Sequence, residues 1–201
     1  MLITNQVEVS QPIDSVWKFF GDIPQVAACL PGTNLTDQVG DDRFEGDVTI
    51  KAGPVKLEFA GSAEIRERND STKTITVDAS GADRKGRGQA QLALTAALVP
   101  LGGGTRVDVS LDLTISGAAA QYGRGLVADV TAVLLDDFAV NMQSRLNAIA
   151  KGLDPNSVSG AQSASGLAIA TRAARMALLR VFRRFFMPYQ PQPTGRQKGE
   201  A

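Results

Sequence analysis

Apolar and polar residues alternate from the first strand-length stretch of the chain. Ile3, Val7 and Val9 share one face, and Thr4, Gln6, Glu8 and Ser10 the other, the period-two pattern of a half-buried strand. Pro12 ends that run, and PIDSVWKFF opens a short helix with proline at its start. Asp22-Ile23-Pro24 starts a second short helix, which Pro31-Gly32 closes. From Thr33 to Gly117 the pattern predicts strand after strand. Phe44, Gly46, Val48 and Ile50 share a face, as do Val55, Leu57, Phe59, Gly61, Ala63 and Ile65. After a turn at Asn69-Asp70-Ser71 come Ile75, Val77, Ala79 and Gly81, then Ala90, Leu92, Leu94, Ala96 and Leu98. A glycine loop at 101–105 leads to a last strand with Val107, Val109, Leu111, Leu113 and Ile115 on one side.

Near Ala118 the period changes. Leu126, Val130, Val133, Leu134 and Phe138 form a helical stripe with Asp129, Asp136 and Asp137 off it, and Gly152 is a suitable stop after Lys151. A sheet with one apolar face needs a cover, and this long helix is the available one. The pattern thus predicts an α+β domain over 1–151. Residues 152–166 are small and polar without period and read as a flexible linker; 167–187 read as a separate amphipathic helix, and 188–201 as a disordered tail.

Charge sharpens that division. The chain has 21 basic and 21 acidic residues and no histidine. After Asp154 there are seven basic residues and one acidic, so a basic tail follows an acidic body. An acidic body speaks against nucleic-acid binding. At about 100° per residue, Leu167, Ala170, Ala174, Leu178, Val181, Phe182 and Phe185 fall on one side of the tail helix. Arg172, Arg180, Arg183 and Arg184 fall on the other, with Arg175 at the border. This is the pattern of a helix lying in the plane of an anionic membrane surface. Docking of the same helix on the acidic body or on a partner is the competing reading.

Chemistry is sparse. Without histidine the commonest general base and transition-metal ligand are gone. Cys29 is the single cysteine, lies in the apolar run AACL, and reads as a buried structural thiol. Trp17 reads as core. GADRKGRG at 81–88 lacks the GK[ST] of a phosphate loop and reads as a hairpin with exposed charge; a contact for an acidic partner patch is the sharper alternative. The N-terminus has no basic start followed by an apolar run, so no signal peptide is expected, and no stretch is long and apolar enough to span a bilayer. The expectation is a cytoplasmic protein, peripheral on the inner face of the cell membrane. It is not expected to be an enzyme, and no catalytic or metal-ligating residues are assigned.

Three segments, PIDSVWKFFGDIPQVAACLPG at 12–32, GDVTIKAGPVKLEFAG at 46–61 and YGRGLVADVTAVLLDDF at 122–138, resemble the carbon monoxide dehydrogenase CoxG family of the START/Bet v 1-like (SRPBCC) superfamily. The resemblance implies a helix-grip fold, an antiparallel sheet curled around the C-terminal helix with an apolar cavity between them. It also implies association with a molybdenum hydroxylase of the carbon monoxide dehydrogenase type, and it supplies no catalytic residues. Small residues on the sheet's apolar face, Gly46, Gly61, Ala63, Ala79, Gly81, Ala90 and Ala96, leave two readings: a void, or close helix–sheet packing with strand glycines as bends. If a cavity exists, Val48, Ile50, Phe59, Gly61, Ala79, Leu92, Leu94, Leu126, Val130 and Leu134 are its expected lining. An apolar pocket, a membrane-seeking tail and a redox-enzyme partner together suggest a lipophilic electron carrier as ligand, a quinone such as menaquinone or ubiquinone. The alternatives are a recruitment adaptor with a filled core, and a cyclase- or hydratase-type enzyme.

Overall fold

The computed structural model describes residues 1–52 and 55–157. Strand β1 (Leu2–Val9) leads into the short helices α1 (Ile13–Phe19) and α2 (Ile23–Cys29). Strands β2 (Thr33–Gln38), β3 (Arg43–Ala52), β4 (Val55–Asn69), β5 (Thr74–Asp83), β6 (Gln89–Leu101) and β7 (Gly104–Ile115) follow. A 3-10 turn at Gly117–Tyr122 then opens helix α3 (Gly123–Ala150). Among the described residues the strands form one seven-stranded sheet, ordered β1-β7-β6-β5-β4-β3-β2. Each neighbouring pair is antiparallel. This α+β arrangement is the expected one; the helical run starts with the 3-10 turn rather than directly at Ala118.

Local chemistry sets the joints. The Pro12 carbonyl accepts from the Ser15 and Val16 amides, and Asp22 caps α2 by accepting from the Gln25 amide at 3.2 Å. Gly32 closes α2 with φ +78°; a Cβ there would stand 2.2 Å from the Thr49 carbonyl oxygen, so only glycine fits. Asn69 Oδ1 accepts from the Ser71 and Thr72 amides, both at 3.1 Å, and makes the β4–β5 turn.

The closed core lies at one end of the molecule. Val7, Val9, Val16, Phe19, Phe20, Leu98 and Val107 pack against Phe138, Met142 and Leu146 from the second half of α3. Trp17 joins them as expected. Its indole nitrogen donates to Asp70 at 2.6 Å, and the Arg68 guanidinium lies 4.3 Å from its ring centroid. We call this the closed end. The paired ends of β3 and β4, the β5–β6 connection and the start of α3 lie at the opposite end.

The structure adds to the sequence reading at three places. Asp129, which lies off the apolar stripe of α3, is nonetheless only 8% exposed. Residues 152–157, the start of the expected flexible linker, fold back on the body instead. The Leu153 amide donates to Ala148 O at 2.9 Å, and Asn156 Oδ1 accepts from Arg145 at 3.2 Å and from Gln25 at 3.3 Å. Arg145 is buried, so its charge holds this segment by hydrogen bonds that water cannot replace. For the strand glycines, where a void and bends were both open, the structure leaves no room for a side chain at Gly46 and Gly61. The rest of the expected linker, the expected amphipathic helix at 167–187 and the expected disordered tail lie outside the described residues.

Candidate functional site

Register places the inward-facing residues in rows across the sheet. Leu35, Gly46, Gly61, Gly81, Ala90 and Ile115 lie side by side across six strands. The next row toward the closed end is Phe44, Ala63, Ala79, Leu92 and Leu113. Toward the opposite end come Val48 beside Phe59, then Ile50 beside Leu57.

A Cβ on Gly61 would stand 2.0 Å from Ser80 O and 2.6 Å from Gly81 Cα, and one on Gly46 would stand 2.6 Å from Asn34 O. These obstacles are backbone atoms of the neighbouring strand. The glycines therefore mark a fold line along which the sheet bends sharply, not empty space. Gly61 has no room for a side chain and lines nothing by its own bulk. The closest backbone approaches of α3 as a whole are to β1, α2 and α1.

Burial follows that geometry. Val48, Ile50, Phe59, Ala79, Leu92, Leu94 and Leu134 are half-buried, Val130 is buried, and Leu126 is 38% exposed. Of these, only Leu94 packs against the closed core. Apolar side chains on the inner face of β3, β4 and β6, and Leu126 near the start of α3, thus remain partly accessible. Fully burying such a side chain is worth about 1.5–3 kcal/mol, so half-burial forgoes roughly 1 kcal/mol at each of Val48, Ile50, Phe59, Leu92 and Leu126. A sum on the order of 5 kcal/mol is large beside a typical folding stability of about 5–15 kcal/mol. The two grooves of about 480 and 450 Å³ found elsewhere are of another kind. They lie on the sheet's outer face, with Ser62, Ser80 and Gln91 common to both; of the expected lining residues, Ala79 and Leu92 border the first and Gly61 borders the second.

The polar groups bordering the hollow are committed to structure. Asp83, paired in register with Phe59, is 4% exposed. Its carboxylate accepts from Arg87 Nε at 2.8 Å and Nη2 at 2.7 Å, and from the Lys85, Arg87 and Glu58 amides at 3.1, 3.2 and 3.3 Å. The Arg87 side chain above all holds this carboxyl well below the usual carboxylate range. Arg87 also donates to Lys56 O at 2.8 Å, tying the β5–β6 turn to β4, and Arg84 Nη2 donates to Asp47 at 2.6 Å. The 84–88 turn is thus the expected hairpin with exposed charge at Arg84 and Lys85, tied in addition to β3 and β4. Sequence reasoning missed the Asp83–Arg87 pair. The i, i+4 spacing was its only signal, and that spacing is informative in a helix rather than a turn.

Cys29 is the buried structural thiol expected. It donates to Gln25 O at 3.3 Å, and burial pushes its pKa up to about 12, against the opposing pull of Arg145. At neutral pH it is no nucleophile. The expected membrane-contact residues Leu178, Phe182, Phe185, Arg172, Arg175, Arg180, Arg183 and Arg184 lie outside the described residues. No helix among the described residues is long and apolar enough to cross a membrane.

A seven-stranded antiparallel sheet curled around one long C-terminal helix is the START/Bet v 1-like helix-grip fold. Solved structures share it. A START superfamily protein from Mycobacterium smegmatis matches with a TM-score of 0.52 at 16% identity, covering 74% of this chain and 98% of that one. A conserved protein from Geobacillus kaustophilus matches with a TM-score of 0.66 at 19% identity, over 73% and 95% of the two chains. A protein from Thermus thermophilus matches with a TM-score of 0.55 at 16% identity, over 75% and 99%. No curated protein matches the sequence. Within this fold the chain belongs to the carbon monoxide dehydrogenase CoxG family, whose model matches residues 6–147.

Proposed function

We propose that this protein is a non-catalytic carrier of a hydrophobic ligand, a respiratory quinone such as menaquinone or ubiquinone, serving a molybdenum-type carbon monoxide dehydrogenase. The observation that supports the reading is a set of apolar side chains on the sheet's inner face and at the start of α3 that stay only partly buried. Val48, Ile50, Phe59, Leu92 and Leu126 face inward there and stay accessible at a cost in stability. An apolar lining with few free polar groups suits an apolar ligand. Asp83 faces the hollow but is fully engaged by Arg87 and the turn amides, so it is poorly placed to act as an acid or base. The family supplies the partner. The arginine-rich amphipathic stretch at 167–187 supplies a membrane contact, with about 1 kcal/mol for each basic residue near an anionic leaflet. The protein is then peripheral on the cytoplasmic face of the cell membrane. A quinone tail buries many CH₂ groups at about 0.8 kcal/mol each, so passage through water unaided is prohibitive and a protein hollow removes that barrier.

The test is organic extraction of the purified full-length chain followed by mass spectrometry. It is paired with dehydrogenase-dependent reduction of quinone supplied only in vesicles. A stoichiometric quinone, and a reduction rate that collapses when Arg180→Glu and Arg184→Glu are combined, support the carrier. An empty extract with undiminished membrane recruitment of the dehydrogenase means an adaptor. Turnover of an added ligand means an enzyme.

A further inference from the structure

Residues seven apart on an α-helix are two turns apart with a drift of only about 20°, so they share a face. On α3 two such pairs differ sharply in burial. Val133 is 1% exposed and Val140 65%, and Asp129 is 8% exposed whereas Asp136 is open to solvent. The closed core is not what covers Val133. It stands nine residues, two and a half turns, from Met142, and so points away from the line of Leu135, Phe138, Met142 and Leu146 that meets the core. Helix α2 meets α3 at Asn141 and Arg145, and β1 meets it at Gln143, all off this face. Val130 is buried beside Val133, and neither belongs to the closed core. A buried carboxylate such as Asp129 needs a cation or hydrogen-bond donors, and neither it nor half-buried Asp137 is without a partner. Yet α3 has no basic residue between Arg124 and Arg145. The elements whose backbones come nearest to it, β1, α1, α2 and the 3-10 turn, bring only the exposed Lys18.

We infer that this face of α3 is the docking site of the chain's own segment 167–187, with the apolar side of the segment on Val130 and Val133 and its arginines on Asp129 and Asp137. Charge and pattern name the occupant. The face is an apolar strip flanked by carboxylates, and 167–187 pairs a Leu- and Phe-rich side with five arginines and no acidic residue. Length permits it. Asn156 is tied to Arg145, and Val133 lies twelve residues back along the helix, roughly 18 Å. The nine residues 158–166 can span about 30 Å. One apolar side cannot rest on α3 and in a bilayer at once. Docking on the body and binding to an anionic leaflet are therefore alternatives, and the membrane draws the segment off α3. The inference takes the membrane contact from the proposed function and adds the docked state.

The test is thiol labelling of the full-length chain carrying Val133→Cys, or Val130→Cys should the first variant misfold, with Val140→Cys as the open control. Cys29 is buried and does not compete. The thiol at 133 should react on the order of 100-fold more slowly than that at 140, as for a cover open in about 1% of molecules. Combining Leu178→Asp with Phe182→Asp should bring the two rates together, and so should vesicles of phosphatidylglycerol added to the otherwise unaltered segment. Pure phosphatidylcholine should leave the difference in place. Four results overturn the inference: equal rates at 133 and 140 without vesicles, protection at 133 that survives the double Asp variant, protection that persists while the chain is bound to vesicles, or protection that vanishes on dilution, which means a second copy. The proposed function fails separately. A chain whose thiol at 133 is protected and then released by the double Asp variant, but which never binds vesicles, keeps the docking site and loses the membrane contact.

Discussion

Replacing Gly61 with alanine tests the origin of the hollow. The added methyl carbon would lie 2.0 Å from Ser80 O and 2.6 Å from Gly81 Cα, where ordinary contact needs about 3.4 Å or more. Both obstacles are backbone, so β4 and β5 must separate by about an ångström or lose pairing along the fold line. Overpacking commonly costs about 1–3 kcal/mol. Here the obstacle cannot rotate away, and we expect about 3 kcal/mol. Gly81→Ala is the matched control, because its methyl meets Ala60 O at 3.2 Å and Phe59 Cβ at 3.4 Å. That contact is tight but tolerable, and the lower entropy of the unfolded chain offsets it by about 0.4–1 kcal/mol, so the variant should stay within about 1 kcal/mol of the parent. Urea unfolding can be followed by Trp17, the sole tryptophan, which is buried at the closed end far from both sites. The 3 kcal/mol corresponds to a fall of roughly 6–12 °C in Tm for a domain of this size. Equal stability of the two variants would refute the fold line and restore the reading of these glycines as empty space, which a larger residue could fill.

Three further outcomes are expected. A chain ending at Ser157 should be more stable than one ending at Lys151 by about 1–2 kcal/mol in urea, because the shorter chain strips buried Arg145 of the Asn156 acceptor; equal midpoints would contradict this. Asp83→Asn should destabilise the protein at neutral pH, with the gap closing in acid. The lowered folded pKa contributes stability that is present above the unfolded value of about 3.9 and lost as pH falls through the folded one, so a pH-independent gap in unfolding midpoint would sink the assignment. Cys29, with its pKa pushed up to about 12, should resist a thiol reagent at pH 8 in the native protein and react promptly in urea; fast native labelling would show that the α2 environment is open.

Most of the fold was legible because period-two alternation marks each strand except β2, whose TNLTDQ carries one apolar residue, and because a change to helical period can be seen near residue 118. The two short helices were legible from Pro12, Asp22 and the Pro31-Gly32 stop, each of which does its expected job at a helix end. Less legible was anything depending on two distant segments. Asp129 reads as polar and therefore outward, but burial is decided by where the sheet curls. The 152–157 segment has linker composition, yet Arg145 and Gln25, from two separate helices, supply the bonds that hold Asn156. The lining residues fell on the apolar face by parity alone. Parity also selects Val107 and Leu98, which are sealed in the core, and so could not say which inward residues stay open.

The glycines show why composition misleads here. Gly46, Gly61 and Gly81 invite a subtraction argument, in which missing side chains leave missing volume. The register instead lines them up across three adjacent strands, and at Gly46 and Gly61 an added Cβ would meet the neighbouring backbone well inside contact distance. Their contribution is curvature. A sheet bent at that row can pack on α3 at one end, where Phe138, Met142 and Leu146 meet β1 and the short helices, and diverge from it at the other. The opening is then a property of the backbone path, and residues of ordinary size such as Phe59, Leu92 and Leu126 are left accessible at its walls. On this reading the lining can be varied with little effect on the existence of the hollow, whereas a single methyl at Gly61 should disturb it.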